Sequence, residues 1–188
     1  MILLLNDSPD FIKKTNQYSI LNLPILNTKI IYSPGTTINI NKAKKIIDIK
    51  QENSKDWVLF LSGEAKDWTF NFDGVDITSN NQDNSQRYNS QGLTGCVNFY
   101  DYKFNNVSFN INKGSCEDSL NIVKSTGDIN KIDISDSYSD ALDLDFSDLN
   151  VYRLNISKAG NDCLDVSGGN YFINKLSVDL CADKGVSI

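Results

Sequence analysis

The 188-residue chain contains no histidine. It therefore lacks the commonest neutral-pH general base and zinc ligand, and chemistry falls to carboxylates, Lys, Arg, Tyr and Cys. The richest supply of such groups is Asp140, Asp143, Asp145, Asp162, Asp165 and Lys184. Asp143 and Asp165 occupy equivalent places in a repeat, 165 − 143 = 22 residues apart. Stacked on neighbouring strands they would lie near ~4.8 Å, where two carboxylates raise one another's pKa or share a cation. That spacing approaches the roughly 5 to 5.5 Å of a retaining glycosidase pair. Asp140 and Asp162, with Asp118 and Asp183, form a second column where the chain turns into the strand. An Asp there can equally serve structure by accepting bonds from its own downstream N–H groups. The two acidic columns could instead hold Ca²⁺ through oxygen ligands, although no Asp-x-Asp-x-Asp-Gly loop makes that specific. We assign Asp143, Asp165, Asp140, Asp162 and Lys184 as candidate catalytic groups, with no metal ligand set and no required cofactor. Asp145, Arg87, Tyr88, Tyr100, Tyr102 and Arg153 are assigned as candidate substrate-binding groups. Tyr88, Tyr100 and Tyr102, with Trp68, fall out of the inward phase or in loops, where a ring could stack on a sugar.

The elements that must hold these groups follow from periodicity. Asp118-Ser-Leu-Asn-Ile122, Asp140-Ala-Leu-Asp-Leu144, Asp162-Cys-Leu-Asp-Val166 and Asp183-Lys-Gly-Val-Ser-Ile188 recur at 22, 22 and 21 residues, with Cys96-Val-Asn-Phe99 earlier. A second set, Asn106 to Phe109, Lys131 to Ile134, Arg153 to Ile156 and Lys175 to Val178, repeats in phase. Apolar residues two apart face one side of a strand, so the pattern predicts an all-β, right-handed parallel β-helix with coils of about 22 residues in the C-terminal half. Segments 97–99, 120–122, 142–144 and 164–166 should pair in parallel, with Leu120, Leu142 and Leu164 inside. Lys29 to Tyr32, Thr37 to Ile40, Ile46 to Ile49, Trp57 to Leu61 and Thr69 to Phe72 are expected to form the first coils. Residues 1–27 read as an N-terminal cap and 28–188 as the helix, with 78–94 an inserted polar loop suited to binding. The chain reads as cut at its C-terminus, which would leave an open coil able to associate end to end.

The stretch from Gly95 to Ile188 resembles the right-handed parallel β-helix repeat domains of bacterial envelope and exported proteins. Cys116 to Val123, Ser139 to Ser147, Gly160 to Gly168 and Asp183 to Ile188 carry the likeness. The resemblance implies an exported, carbohydrate-facing protein. A weaker likeness is to polygalacturonases, whose successive coils carry Asn-Thr-Asp, Asp-Asp and Gly-His-Gly. Ser139-Asp140, Asn161-Asp162-Cys163 and Asp183-Lys184-Gly185 stand in those places, so Asp140 and Asp162 match two family carboxylates, while Asn161 and Lys184 replace an acid and the histidine.

Composition narrows the partners. The chain carries 18 Lys plus Arg against 24 Asp plus Glu, a net charge of −6, which offers no footprint for nucleic acid. The N-terminal apolar run falls far short of the roughly 20 residues of a membrane span, and no signal peptide is visible. Among the four cysteines, Cys96 shares a column with Cys163 and Cys116 with Cys181, but each pair lies three coils apart, on the order of 14 Å, beyond the ~7 Å a disulfide tolerates. Four free thiols are therefore expected. The function expected is binding or processing of an extracellular or cell-envelope polysaccharide, by a lyase, epimerase or hydrolase route. The alternative is a non-catalytic structural or adhesive segment of a larger bacterial surface protein.

Overall fold

The computed structural model describes residues 18–76 and 87–188. Strand accounts for about 70% of the described residues and helix for 2%, arranged as a β-solenoid of about six turns. The strands are β1 (Ser19–Leu23), β2 (Thr28–Tyr32), β3 (Thr36–Asn41), β4 (Ile46–Gln51), β5 (Val58–Lys66), β6 (Thr69–Asp73), β7 (Gly95–Asn112), β8 (Asp118–Val123), β9 (Thr126–Ser137), β10 (Asp140–Ala159), β11 (Leu164–Cys181) and β12 (Val186–Ser187).

The expected parallel register is present. Val97 pairs with Leu120, Leu120 with Leu142, Leu142 with Leu164, and Leu164 with Val186. Leu120, Leu142 and Leu164 are buried, because alternation on a strand places every second side chain inside and the stacked coils close those faces into one core. Each coil has three faces rather than the two strand sets visible in sequence. In β10 the first face is 142–145, the second 148–151 and the third 153–157, each matched residue for residue by β11. The corner between the first two faces is set by residues with positive φ stacked coil on coil: Ser62, Asp101, Lys124, Phe146 and Gly168. A second left-handed column, Lys113, Asp136, Lys158 and Leu180, turns the chain off the third face. These corners bend long strands without breaking their pairing, so the middle segment, Asp128-Ile129 for example, escapes a search for two strands per turn.

The early segments differ from expectation. β1 pairs antiparallel with β2, β2 antiparallel with β5, and β3 antiparallel with β4. Parallel coiling begins where β4 meets β6 and β5 meets β7. Lys29 to Tyr32 and Thr37 to Ile40 thus form hairpin strands on the first coil, since alternation alone is blind to strand direction. Residues 1–17 of the expected cap and 78–86 of the expected loop lie outside the described residues.

The cysteines correct the sequence reading outright. Cys96 is bonded to Cys116 and Cys163 to Cys181, with Cα–Cα distances of 5.3 and 5.4 Å. The partners belong to different columns. In a coil of about 22 residues, a position 18 or 20 further along has travelled round to the corner from which the strand started. The same corner holds a Ser119–Ser137 hydrogen bond of 2.7 Å in the coil after the first bridge. Disulfides persist in oxidising compartments, so these are compatible with an extracellular location. No helix among the described residues is long and apolar enough to cross a membrane.

Candidate carboxylate site

On the first face the outward column runs Leu59, Asn98, Asn121, Asp143, Asp165 and Ser187. Beside it runs a second, Leu61, Tyr100, Val123, Asp145 and Ser167. The alternation that turns Leu142 and Leu144 inward is what turns Asp143 and Asp145 outward. Early in the columns the face is apolar: Ile31, Trp57 and Leu59 form a small cluster against which Leu61, Leu93 and Tyr100 pack. Later it becomes acidic. Asp143 and Asp165 are cross-strand neighbours as their spacing predicted. Asn121 Nδ2 donates to Asp143 Oδ2 at 3.1 Å and to Asp145 Oδ2 at 3.3 Å, tying the two acids together.

Burial dominates the protonation of this group. It pushes Asp143 up to about 8, helped by the negative charge of Asp118, Asp145 and Asp165 and by a hydrogen bond with Asp145. Asp118, 2% exposed, is pushed up to about 7 by burial, against a hydrogen bond from Thr94 and with the charges of Asp140, Glu117 and Asp145 adding to the rise. Its Oδ2 has no hydrogen-bond partner among the described residues. Asp118 was the acid that sequence reasoning passed over. It reads as one more turn aspartate in its column; its N–H reaches the Thr94 carbonyl much as that of Asp140 reaches Glu117, and what distinguishes it is its buried side chain with an oxygen unpaired among the described residues.

Asp140 and Asp162 do structural work of a kind the sequence did not suggest. Asp140 Oδ1 accepts the backbone N–H of Asp162 at 2.8 Å and the Asn161 amide at 2.7 Å, and Asp162 Oδ1 accepts the N–H of Lys184 at 2.9 Å. Each carboxylate staples the next coil rather than its own turn. Lys184 Nζ completes the corner with Asp162 at 3.3 Å and Asp183 at 2.7 Å.

The binding candidates are dispersed. Arg87 reaches Glu117 at 3.7 Å and lies over Tyr88, 5.5 Å from its ring centre, so this part of the loop borders the acids through Glu117, the neighbour of Asp118. The Tyr100 hydroxyl accepts from Lys124 Nζ at 2.9 Å. Tyr102 is a core residue, 2% exposed and packed against Phe60, Phe99 and Phe104. The left-handed corner at Asp101 reverses the alternation there, which is why a phase count puts Tyr102 outside. Trp68 is buried for a related reason, following the corner at Asp67. Arg153 lies on the third face in a basic column with Lys131 and Lys175, apart from the Asp143 group. Exposed rings that sequence reasoning missed are Phe146, Tyr152 and Phe172.

Compared with known proteins, the chain matches no protein-family model, no curated protein and no solved structure. Among the described residues no cluster of three or more Asp, Glu or Cys has the arrangement of a metal site.

Proposed function

We propose that this solenoid processes an extracellular or cell-envelope polysaccharide by acid–base hydrolysis on its first face. The observation that carries this reading is Asp143, an acid pushed up to about 8 that stands one strand from Asp165. A carboxylic acid still protonated at neutral pH beside a second carboxyl group is the pairing that glycosidic cleavage uses. In that scheme Asp143 donates its proton to the glycosidic oxygen as the C1–O bond breaks, and the Asp165 carboxylate attacks C1. Water then displaces Asp165, giving its proton back to Asp143. A lyase or epimerase route is supported less well, because it needs a free base. Lys124 is held by Tyr100, Lys184 by Asp162 and Asp183, and Arg153 stands on another face.

The structural or adhesive reading draws on a different observation, the regular stapling of coil to coil by Asp140 and Asp162. Incubation with a panel of neutral and uronate polysaccharides, following reducing ends and unsaturated sugars, separates the two. New reducing ends without unsaturated products are expected, lost in Asp143→Asn and in Asp165→Asn. No product from any member of the panel, or full activity in both variants, would overturn hydrolysis and favour the structural reading.

A further inference from the structure

The third face carries a groove of about 800 Å³ whose lining includes neither Asp143 nor Asp165. Two outward columns line it. One runs Asn39, Asp48, Asn71, Asn110, Asp133, Asn155, Ser177 and the other Thr37, Lys50, Asp73, Asn112, Ser135, Ser157, Asp179, one residue from each of seven neighbouring strands. Six strand spacings make this strip roughly 29 Å long, parallel to the solenoid axis.

The polar groups along it are held in place by one another. Asn71 donates to Asp48 at 2.7 Å, Asn110 to Asn71 at 2.7 Å, Asn155 to Asp133 at 2.7 Å and Asn112 to Asp73 at 3.2 Å. A primary amide has two N–H donors and a carbonyl with two lone pairs. Each ladder bond uses one donor, which leaves a second N–H and further acceptor sites, already oriented, on Asn71, Asn110, Asn112 and Asn155. Preorganised donors and acceptors at strand spacing along a straight strip suit a ligand that repeats hydroxyl groups along its length.

Charge and side-chain type select among such ligands. The lining contains four carboxylates, Asp48, Asp73, Asp133 and Asp179, against one ammonium, Lys50, and Lys131 pairs with Asp133 at 2.6 Å from beside it, so the strip stays net negative. A polyuronate or a nucleic acid would be repelled. The outward residues include no aromatic and no arginine, the anchors on which protein partners depend. We propose that this groove binds an extended neutral polysaccharide chain, running across the coils, at a place separate from the Asp143 group. The proposal rests on the carbohydrate reading above but on different residues, and it names the substrate class as neutral rather than uronate.

The test is equilibrium binding of cellohexaose, xylohexaose, mannohexaose and hexagalacturonate to the full chain by titration calorimetry. At least one neutral hexaose should bind, and hexagalacturonate should bind at least tenfold more weakly. Ser157→Tyr, at an exposed position that projects a ring into the groove, and Asn110→Ala should each weaken neutral binding tenfold or more, with circular dichroism confirming the fold. Asp143→Asn should bind as the wild type does. Binding without cleavage would sink the hydrolytic reading and leave this one standing. No binding of any neutral hexaose, tighter binding of hexagalacturonate, or affinity unmoved in both groove variants would overturn the groove.

Discussion

Asp143 ties the stability of the fold to its proposed chemistry, so a single substitution probes both. An aspartate ordinarily titrates near ~3.9 and each unit of displacement corresponds to about 1.4 kcal/mol. With the folded-state value at about 8, the native protein holds a proton between pH 4 and 8 that the unfolded chain releases. Stability is therefore fully present below pH 4, falls as pH rises, and levels off above 8. Four units would amount to roughly 5 to 6 kcal/mol. Asp143 is only partly buried, and water at its exposed edge screens the ionised form, so we expect about 2 to 3 kcal/mol. Asp143→Asn removes the charge and keeps an acceptor for the Asn121 amide. The variant should be more stable than the wild type by that amount at pH 8, equal to it near pH 4, and inactive at both. Urea unfolding followed by circular dichroism at pH 4, 6 and 8 measures the first two, and polysaccharide cleavage the third. A group kept at a cost to stability and needed for activity marks a functional position. Parallel pH profiles for the two proteins would refute the reasoning, because they would mean that Asp143 is ionised in the native state.

The disulfides give two further expectations. The denatured, unreduced protein should titrate no free thiol, and Cys163→Ala with Cys181→Ala should lose about 3 kcal/mol for a bridged separation of 18 residues, read as a lower urea midpoint. Ala141 and Ala159 fill the same corner one coil earlier, Ala159 pairing with Cys181, and are also 18 residues apart. Ala141→Cys with Ala159→Cys should form a third bridge without reductant, visible by mass as the loss of two hydrogens; failure to oxidise would mean that the corner geometry does not repeat.

The sequence by itself determined what is periodic. A 22-residue recurrence of Asp, Leu and Asp or Asn fixed the parallel register, the inward leucines and the adjacency of Asp143 and Asp165, because pairing equivalent residues of successive coils is a consequence of equal coil length. What closes a coil on itself, or covers it, is not periodic and was decided by the tertiary structure. Cys96 and Cys116 meet only because the chain has gone most of the way round, and a comparison confined to one column cannot register that. Left-handed residues at Asp67 and Asp101 shift the alternation and bury Trp68 and Tyr102. Asp118 and Asp140 occupy the same column in sequence. One sits under residues 94–95 with an oxygen unpaired among the described residues, while the other holds the backbone of the next coil. Burial pushes both carboxyl groups up, but their partners differ because those depend on what lies above each one, and only the folded chain supplies that.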